Sequence, residues 1–285
     1  SNTNALHNYW QNTNNLTWQK QFGDHSFTAM GVWEISRSWD SQLKGTGSNL
    51  NNESVGYWNL GNAAIRDASN SYTEFSLASG IVRANYDYKK RYFITAALRA
   101  DGSSKFQGDN KWGYFPSAAV AWDIAQESFM SNQHVLDQLK LRASFGVTGN
   151  NNIPANSYYN LLYASNYALG SGTGALIPGL GKTTSTKGNH DITWEQTYEY
   201  NAGIDFSALD NRISLTLEGY YSITKQLLFK QPVVSFMGYS DYWNNIGRIR
   251  NSGIEIELNT HNIRTKNFEW TTSFNLSSNF NKLLE

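Results

Sequence analysis

Between Arg212 and Thr224 the odd positions carry Ile213, Leu215, Leu217, Gly219, Tyr221 and Ile223, while Arg212, Ser214, Thr216, Glu218, Ser222 and Thr224 fill most of the even ones. A period of two places alternate side chains on opposite faces of an extended strand, one apolar and one polar. The sorting recurs along nearly the whole chain. Tyr198, Tyr200, Ala202, Ile204 and Phe206 alternate with Glu199, Asn201 and Asp205, and Ile254, Ile256 and Leu258 alternate with Glu255, Glu257 and Asn259. Residues 92–101, 139–148 and 268–281 behave alike.

Weaker segments at 13–22, 26–39, 75–88 and 114–124 bring the expectation to about ten strands. Many of them reach the roughly 9–11 residues of a tilted membrane-spanning strand, against about five or six for a soluble one. Tight turns are expected near 23–25, 89–91, 208–211 and 262–267, and long polar loops at 40–72, 148–193 and 229–242. Short turns at one end and long loops at the other are the rhythm of outer-membrane barrels. The connection 125–137 is longer than the other inner ones and is expected to hold a helical turn. The fold expected is therefore all-β: an antiparallel up-and-down transmembrane β-barrel, about ten strands of a larger ring.

Other classes are constrained by composition. Lys plus Arg and Asp plus Glu each number 23 and are scattered, which argues against a nucleic-acid surface. No cysteine is present, so there is no disulfide framework and no thiolate metal site. No apolar run approaches the roughly 18 to 20 residues of a spanning helix. Residues 1–12 are polar and Asn-rich, unlike a signal peptide, so any targeting segment is expected outside this chain. Tyr88, Tyr92, Trp122, Phe206, Phe268 and Trp270 share the apolar parity near the expected inner turns, where barrels place aromatic girdles.

Several segments carry a more specific likeness. LRADGSSKF (98–106), FPSAAVAWDIAQESFM (115–130), LKLRASFGVTGNN (139–151), WEQTYEYNAGIDFSALDNRISLTLEGYY (194–221), NIGRIRNSGIEIEL (245–258) and FEWTTSFNLSSNFNK (268–282) occur in order. Together they resemble the barrel of the SusC/RagA family of TonB-linked (TonB-dependent) outer-membrane transporters, over about residues 70–285. Individual residues also make local sense. Pro116 belongs at a strand start because it cannot donate to a ladder, and Asn251 and Gly253 around Ser252 suggest a bulge or a close backbone approach.

The resemblance implies a Gram-negative outer-membrane location and energised import of a bulky nutrient, glycan or peptide. It also implies outer-membrane lipid, the TonB complex and a surface lipoprotein of the SusD type as partners, with no cofactor. Residues 1–285 read as a barrel segment, with the plug domain, the TonB-contacting region and the closing C-terminal strands lying elsewhere. The polar parity, including Arg83, Arg99, Asp101, Arg142, Glu199, Asp205, Glu218 and Glu255, is expected to face the lumen or plug.

No constellation for enzymatic chemistry emerges. His7, His25, His134, His190 and His261 are each expected in a loop, turn or tail, and none has metal-ligand spacing. The glycines at 170, 172, 174, 179 and 181 lack the strand-to-helix setting of a phosphate cradle and read as outer loop. Glu255 and Glu257 could mimic a glycosidase pair but fit a polar wall better. Binding is the more credible role. Tyr158, Tyr159, Phe236, Tyr239 and Trp243 lie in expected outer loops among hydrogen-bonding neighbours, a setting that suits sugars or peptides. The alternative is a soluble or surface-attached all-β carbohydrate-binding module whose apolar faces meet in a sandwich core.

Overall fold

The computed structural model describes residues 1–50, 52–168, 176–234 and 238–284. In chain order the strands are β1 (Asn2–Phe22), β2 (His25–Leu50), β3 (Ala63–Tyr88), β4 (Tyr92–Ser103), β5 (Trp112–Asp123), β6 (Leu136–Asn150), β7 (Leu161–Ala168), β8 (Leu176–Thr186), β9 (Glu195–Ala208), β10 (Ile213–Lys225), β11 (Leu228–Pro232), β12 (Asp241–Asn245), β13 (Arg248–Arg264) and β14 (Glu269–Leu284). Ten of them form one sheet in the order β1-β2-β3-β4-β5-β6-β9-β10-β13-β14, antiparallel throughout. The pairs β7–β8 and β11–β12 are separate hairpins inserted at one end of the sheet. This is the up-and-down wall of a partial barrel, and its ten strands coincide with the ten alternating segments of the sequence.

The register shows what the alternation achieves. One cross-strand row runs through every strand: Phe22, His25, Tyr88, Tyr92, Trp122, Leu141, Ile204, Leu217, Ile256 and Leu276. It begins with rings beside the turns and ends in aliphatics. Phe22 stacks on His25 at 5.3 Å, His25 meets Tyr88 at 4.8 Å, Tyr88 meets Tyr92 at 6.4 Å and Tyr92 stacks on Trp122 at 6.3 Å. In a barrel with tilted strands such a row climbs from the interface into the hydrocarbon, and the change from aromatic to aliphatic follows that climb.

This apolar face is bare. Val120 is 53% exposed, Leu276 53% and Ile254 56%, and among the described residues no second sheet covers them. A sandwich would bury these rows between two layers, so the binding-module alternative does not fit the architecture.

Three expectations about connections change. The stretch 40–72 is not a loop: β2 runs to Leu50, 3-10 turns occupy Glu53–Asn62, and β3 starts at Ala63. Residues 2–12 likewise belong to β1. Beyond the membrane both faces of a strand meet water, so the alternation that betrays a strand fades while backbone pairing continues. The expected loops 148–193 and 229–242 contain the inserted hairpins, and Gly179 and Gly181 lie within β8, whereas Gly170, Gly172 and Gly174 fall outside the described residues. His7, His25 and His261 sit within strands rather than in a tail or turns. The inner connection 124–135 does hold short helical turns, at Ile124–Gln126 and Ser128–Met130.

Candidate functional site

The eight charged residues assigned to the polar parity all emerge on one face of the sheet. Arg83, Arg99 and Asp101 share a face through the β3–β4 register, and β5 carries that parity to Arg142 on β6. Glu199 and Asp205 on β9, Glu218 on β10 and Glu255 on β13 continue it. Contacts tie several of them together. Arg142 Nη2 lies 2.8 Å from Glu218 Oε2 and its Nε 3.2 Å from Asp205 Oδ2, while Asn201 donates to the other Glu218 oxygen. Arg99 Nε donates to Asp101 at 2.7 Å and its Nη2 to Ser79 at 3.2 Å.

Glycines make the long reaches possible. A side-chain carbon at Gly203 would stand 2.8 Å from the Arg142 guanidinium carbon. At Gly253 it would stand 2.6 Å from Tyr220 Oη, which crosses β13 to donate to Asn279 on β14 at 3.1 Å. Gly253 is thus a close approach and not a bulge. Both ladders run unbroken through residues 251–253, and the register shift of β13 falls between His261 and Ile263.

At the long-loop end Phe106, Phe115, Val147, Ile153, Ile192 and Trp194 form a buried cluster. Trp194 contacts Phe106 and Phe115 at 5.2 and 5.4 Å, and its indole N–H donates to the Lys111 carbonyl at 3.0 Å. The β11–β12 hairpin is knitted to this platform through Asn245, which accepts from the Thr193 amide at 2.8 Å and donates to the Thr193 and Gln226 carbonyls, each at 2.9 Å. This small core is where the loops gain fixed positions. Sequence patterning misses it because Phe106, Ile153 and Ile192 are isolated apolar residues in polar loops; that isolation was the available signal.

The expected binding aromatics divide. Tyr158 and Trp243 pack against the cluster, and the Trp243 carbonyl accepts from Asn189 at 3.1 Å. Burial, with a hydrogen bond from its own hydroxyl to Tyr159, pushes the Tyr158 phenol above its ordinary value. Tyr159 lies 4.3 Å from Tyr158, ring to ring, and is 48% exposed. Lys187 places its ammonium 5.7 Å from the Tyr239 ring and 4.5 Å from that of Tyr242. Beside them Asp241 is held below its usual range by a hydrogen bond from Lys230, 3.0 Å away. Phe236 lies outside the described residues. No group of three or more His, Asp or Glu able to hold a metal occurs among the described residues.

At the tight-turn end Glu127 collects the polar tips of the aromatic row. Tyr92 Oη donates to it at 2.5 Å, Trp122 Nε1 at 3.0 Å and Arg91 at 3.3 Å, leaving it 8% exposed.

Comparison with known proteins agrees with this architecture. The family model described as TonB dependent receptor-like, beta-barrel, matches residues 1–283. TonB-dependent receptor P26 of Formosa agariphila is 35% identical over 97% of this chain and 28% of its own length. TonB-dependent receptor SusC of Bacteroides thetaiotaomicron is 37% identical over 78% of this chain and 22% of its own. The chain therefore spans about a quarter of the length of these curated relatives. In fold it resembles the RagAB peptide importer in its closed-closed state, with a TM-score of 0.84 at 24% identity over 99% of this chain and 30% of that one. The outer membrane transporter YddB from Escherichia coli gives a TM-score of 0.67 at 11% identity, covering 99% of this chain and 34% of that one. On the near-complete family match and the relatives above a third in identity, the chain belongs to the TonB-dependent receptor β-barrel family as a SusC/RagA-like member, and its place is the outer membrane.

Proposed function

We propose that this chain supplies part of the wall and outer rim of a nutrient importer, its polar face turned to the lumen and its outer loops meeting a glycan or peptide. The observation that carries the reading is the parity itself: eight charged residues on one face, and exposed Ile, Leu, Val and aromatic rings on the other. Charged side chains are costly against lipid and cheap against a wet lumen. The platform around Trp194 supports a binding role at the rim, because a site on a rigid base loses less entropy on engaging a ligand. Tyr159 and Tyr239 are the rings assigned to contact, with Tyr158 against the Tyr159 ring and Trp243 packed on the buried cluster. TonB would energise the transport, and a lipoprotein of the SusD type would cover the mouth.

The test is uptake by cells whose full-length gene is deleted and restored. Labelled oligosaccharides and oligopeptides are supplied separately, with TonB active or inactivated. Wild type should restore TonB-dependent uptake of one class, and the Tyr159→Ala, Tyr239→Ala pair should lower it at unchanged receptor abundance. Uptake of both classes indifferent to the gene and to TonB would refute the proposal.

A further inference from the structure

Strands β1 to β3 outrun the rest of the sheet. The β3–β4 ladder ends at Leu77 opposite Ser103, whereas β2 and β3 stay paired up to Leu50 and Ala63. Between His25 and Leu43, β2 covers roughly 60 Å at about 3.3 Å per residue, or about 45 Å of height for a tilt near 40°. The apolar band of such a barrel is about 25 Å tall, so Leu43 stands on the order of 15 to 20 Å beyond it. Arg37, lower on the same strand, falls near the boundary itself.

Side chains on this extension keep the parity of the lipid-facing rows. Leu6, Ser41 and Tyr72 make one cross-strand row and Asn4, Leu43 and Asn70 the next. With Gln42 and Ser71 these six residues line a shallow recess of about 370 Å³. Tyr72 is 60% exposed and Leu43 59%, yet the Tyr72 ring is braced from below. Its hydroxyl donates to Glu74 at 2.6 Å, Glu74 accepts from Arg37 Nε at 2.8 Å, and the guanidinium lies 5.5 Å from the Trp39 ring. A fixed aromatic ring and aliphatic surface beside two amides and a hydroxyl suit a sugar, which stacks its C–H face on the ring and bonds its hydroxyls to the amides. None of the six residues is charged, which favours a neutral hydroxylated group over a phosphate. Location then decides the source. The recess is on the opposite parity from the polar face, so a nutrient in the lumen does not meet it, while the headgroups of the surrounding outer leaflet do.

We propose that the outward recess formed by Leu6, Leu43 and Tyr72 with Asn4, Ser41 and Asn70 binds the saccharide headgroup of an outer-leaflet glycolipid, anchoring the projecting strands to the membrane surface. The inference rests on the apolar face meeting lipid, and is independent of which nutrient is carried.

The full-length receptor is reconstituted in nanodiscs of phospholipid and purified lipooligosaccharide, released into mild detergent, and its retained glycolipid counted by native mass spectrometry. Tyr72→Ala should lower retention about fivefold, the order expected for loss of one stacking ring, while Tyr72→Phe, which keeps the ring and loses only its brace, should lower it clearly less. The Asn4→Ala, Asn70→Ala pair should also lower it without touching the ring. Unchanged retention in Tyr72→Ala and in the amide pair overturns the proposal. Equal loss in Tyr72→Ala and Tyr72→Phe also overturns it, as that would make the hydroxyl brace, and not the ring, the cause. Displacement of the glycolipid by a transported oligosaccharide, or conversion of a dimer to a monomer at unchanged glycolipid, would assign the recess to substrate or to a second copy. Heat-modifiable migration of each variant reads the barrel separately, so an error in the face assignment is distinguishable from loss of the headgroup.

Discussion

Arg142 on β6 reaches over β9 to Glu218 on β10, Nη2 to Oε2 at 2.8 Å, and the residue it crosses is Gly203. Directly paired strands place opposing side chains about 5 Å apart, so a bridge across an intervening strand requires that strand to present no side chain at the crossing. Tyr220, Gly253 and Asn279 repeat the device on β10, β13 and β14. In both cases three strands are locked in register on the polar face by side-chain hydrogen bonds.

If Gly203 acts by leaving room, Gly203→Ala should cost about 1 kcal/mol, the order of a partly exposed ion pair. The same change should cost almost nothing in an Arg142→Met background, since interacting sites are non-additive. Urea unfolding of the full-length receptor in bilayers measures all three variants. Additive effects would mean that Gly203 matters for its backbone and not for the crossing.

Ile256 on β13 lies between Leu217 and Leu276 on the apolar face, and its partner Leu217 stands four residues along β10 from Ile213 at the turn. Ile256→Arg should destabilise the barrel by about 2–4 kcal/mol if the row is near mid-membrane there. The adjacent Glu255, opposite Glu218, has the other parity. Glu255→Arg should be neutral or mildly stabilising, because it replaces a like-charge cross-strand pair with an opposite one. Equal penalties at the two positions would contradict the assignment of faces.

Glu127 lies outside the strands, and its carboxyl is held below the ordinary carboxylate range, first by the Tyr92 hydroxyl, then by the Trp122 indole and, less strongly, by the Arg91 charge, against the opposing effect of desolvation. A depressed folded value means that its contribution is complete above the unfolded value of 4.5 and disappears as pH falls through the folded one. The wild-type receptor should therefore lose thermal stability on acidification below about pH 4.5 more steeply than Glu127→Gln. Migration after graded heating, measured across that range, checks it; parallel curves for the two proteins would remove Glu127 from the acid response.

The sequence by itself determined the strand set within the membrane and the sorting of residues to two faces. Period-two alternation is local: Leu217 and Glu218 disclose their opposite faces without reference to any other strand. It follows that the charged set from Arg83 to Glu255 was legible, and so was the row of rings near the tight turns. Where both faces meet water that signal fades, which is why β2 and β3 above residue 40 read as a loop. Only the tertiary structure decided the rest. The crossing of Gly203, the recess beneath Tyr72 and the cluster joining Phe106 to Trp194 each depend on register between segments distant in the chain, and no single segment carries that information.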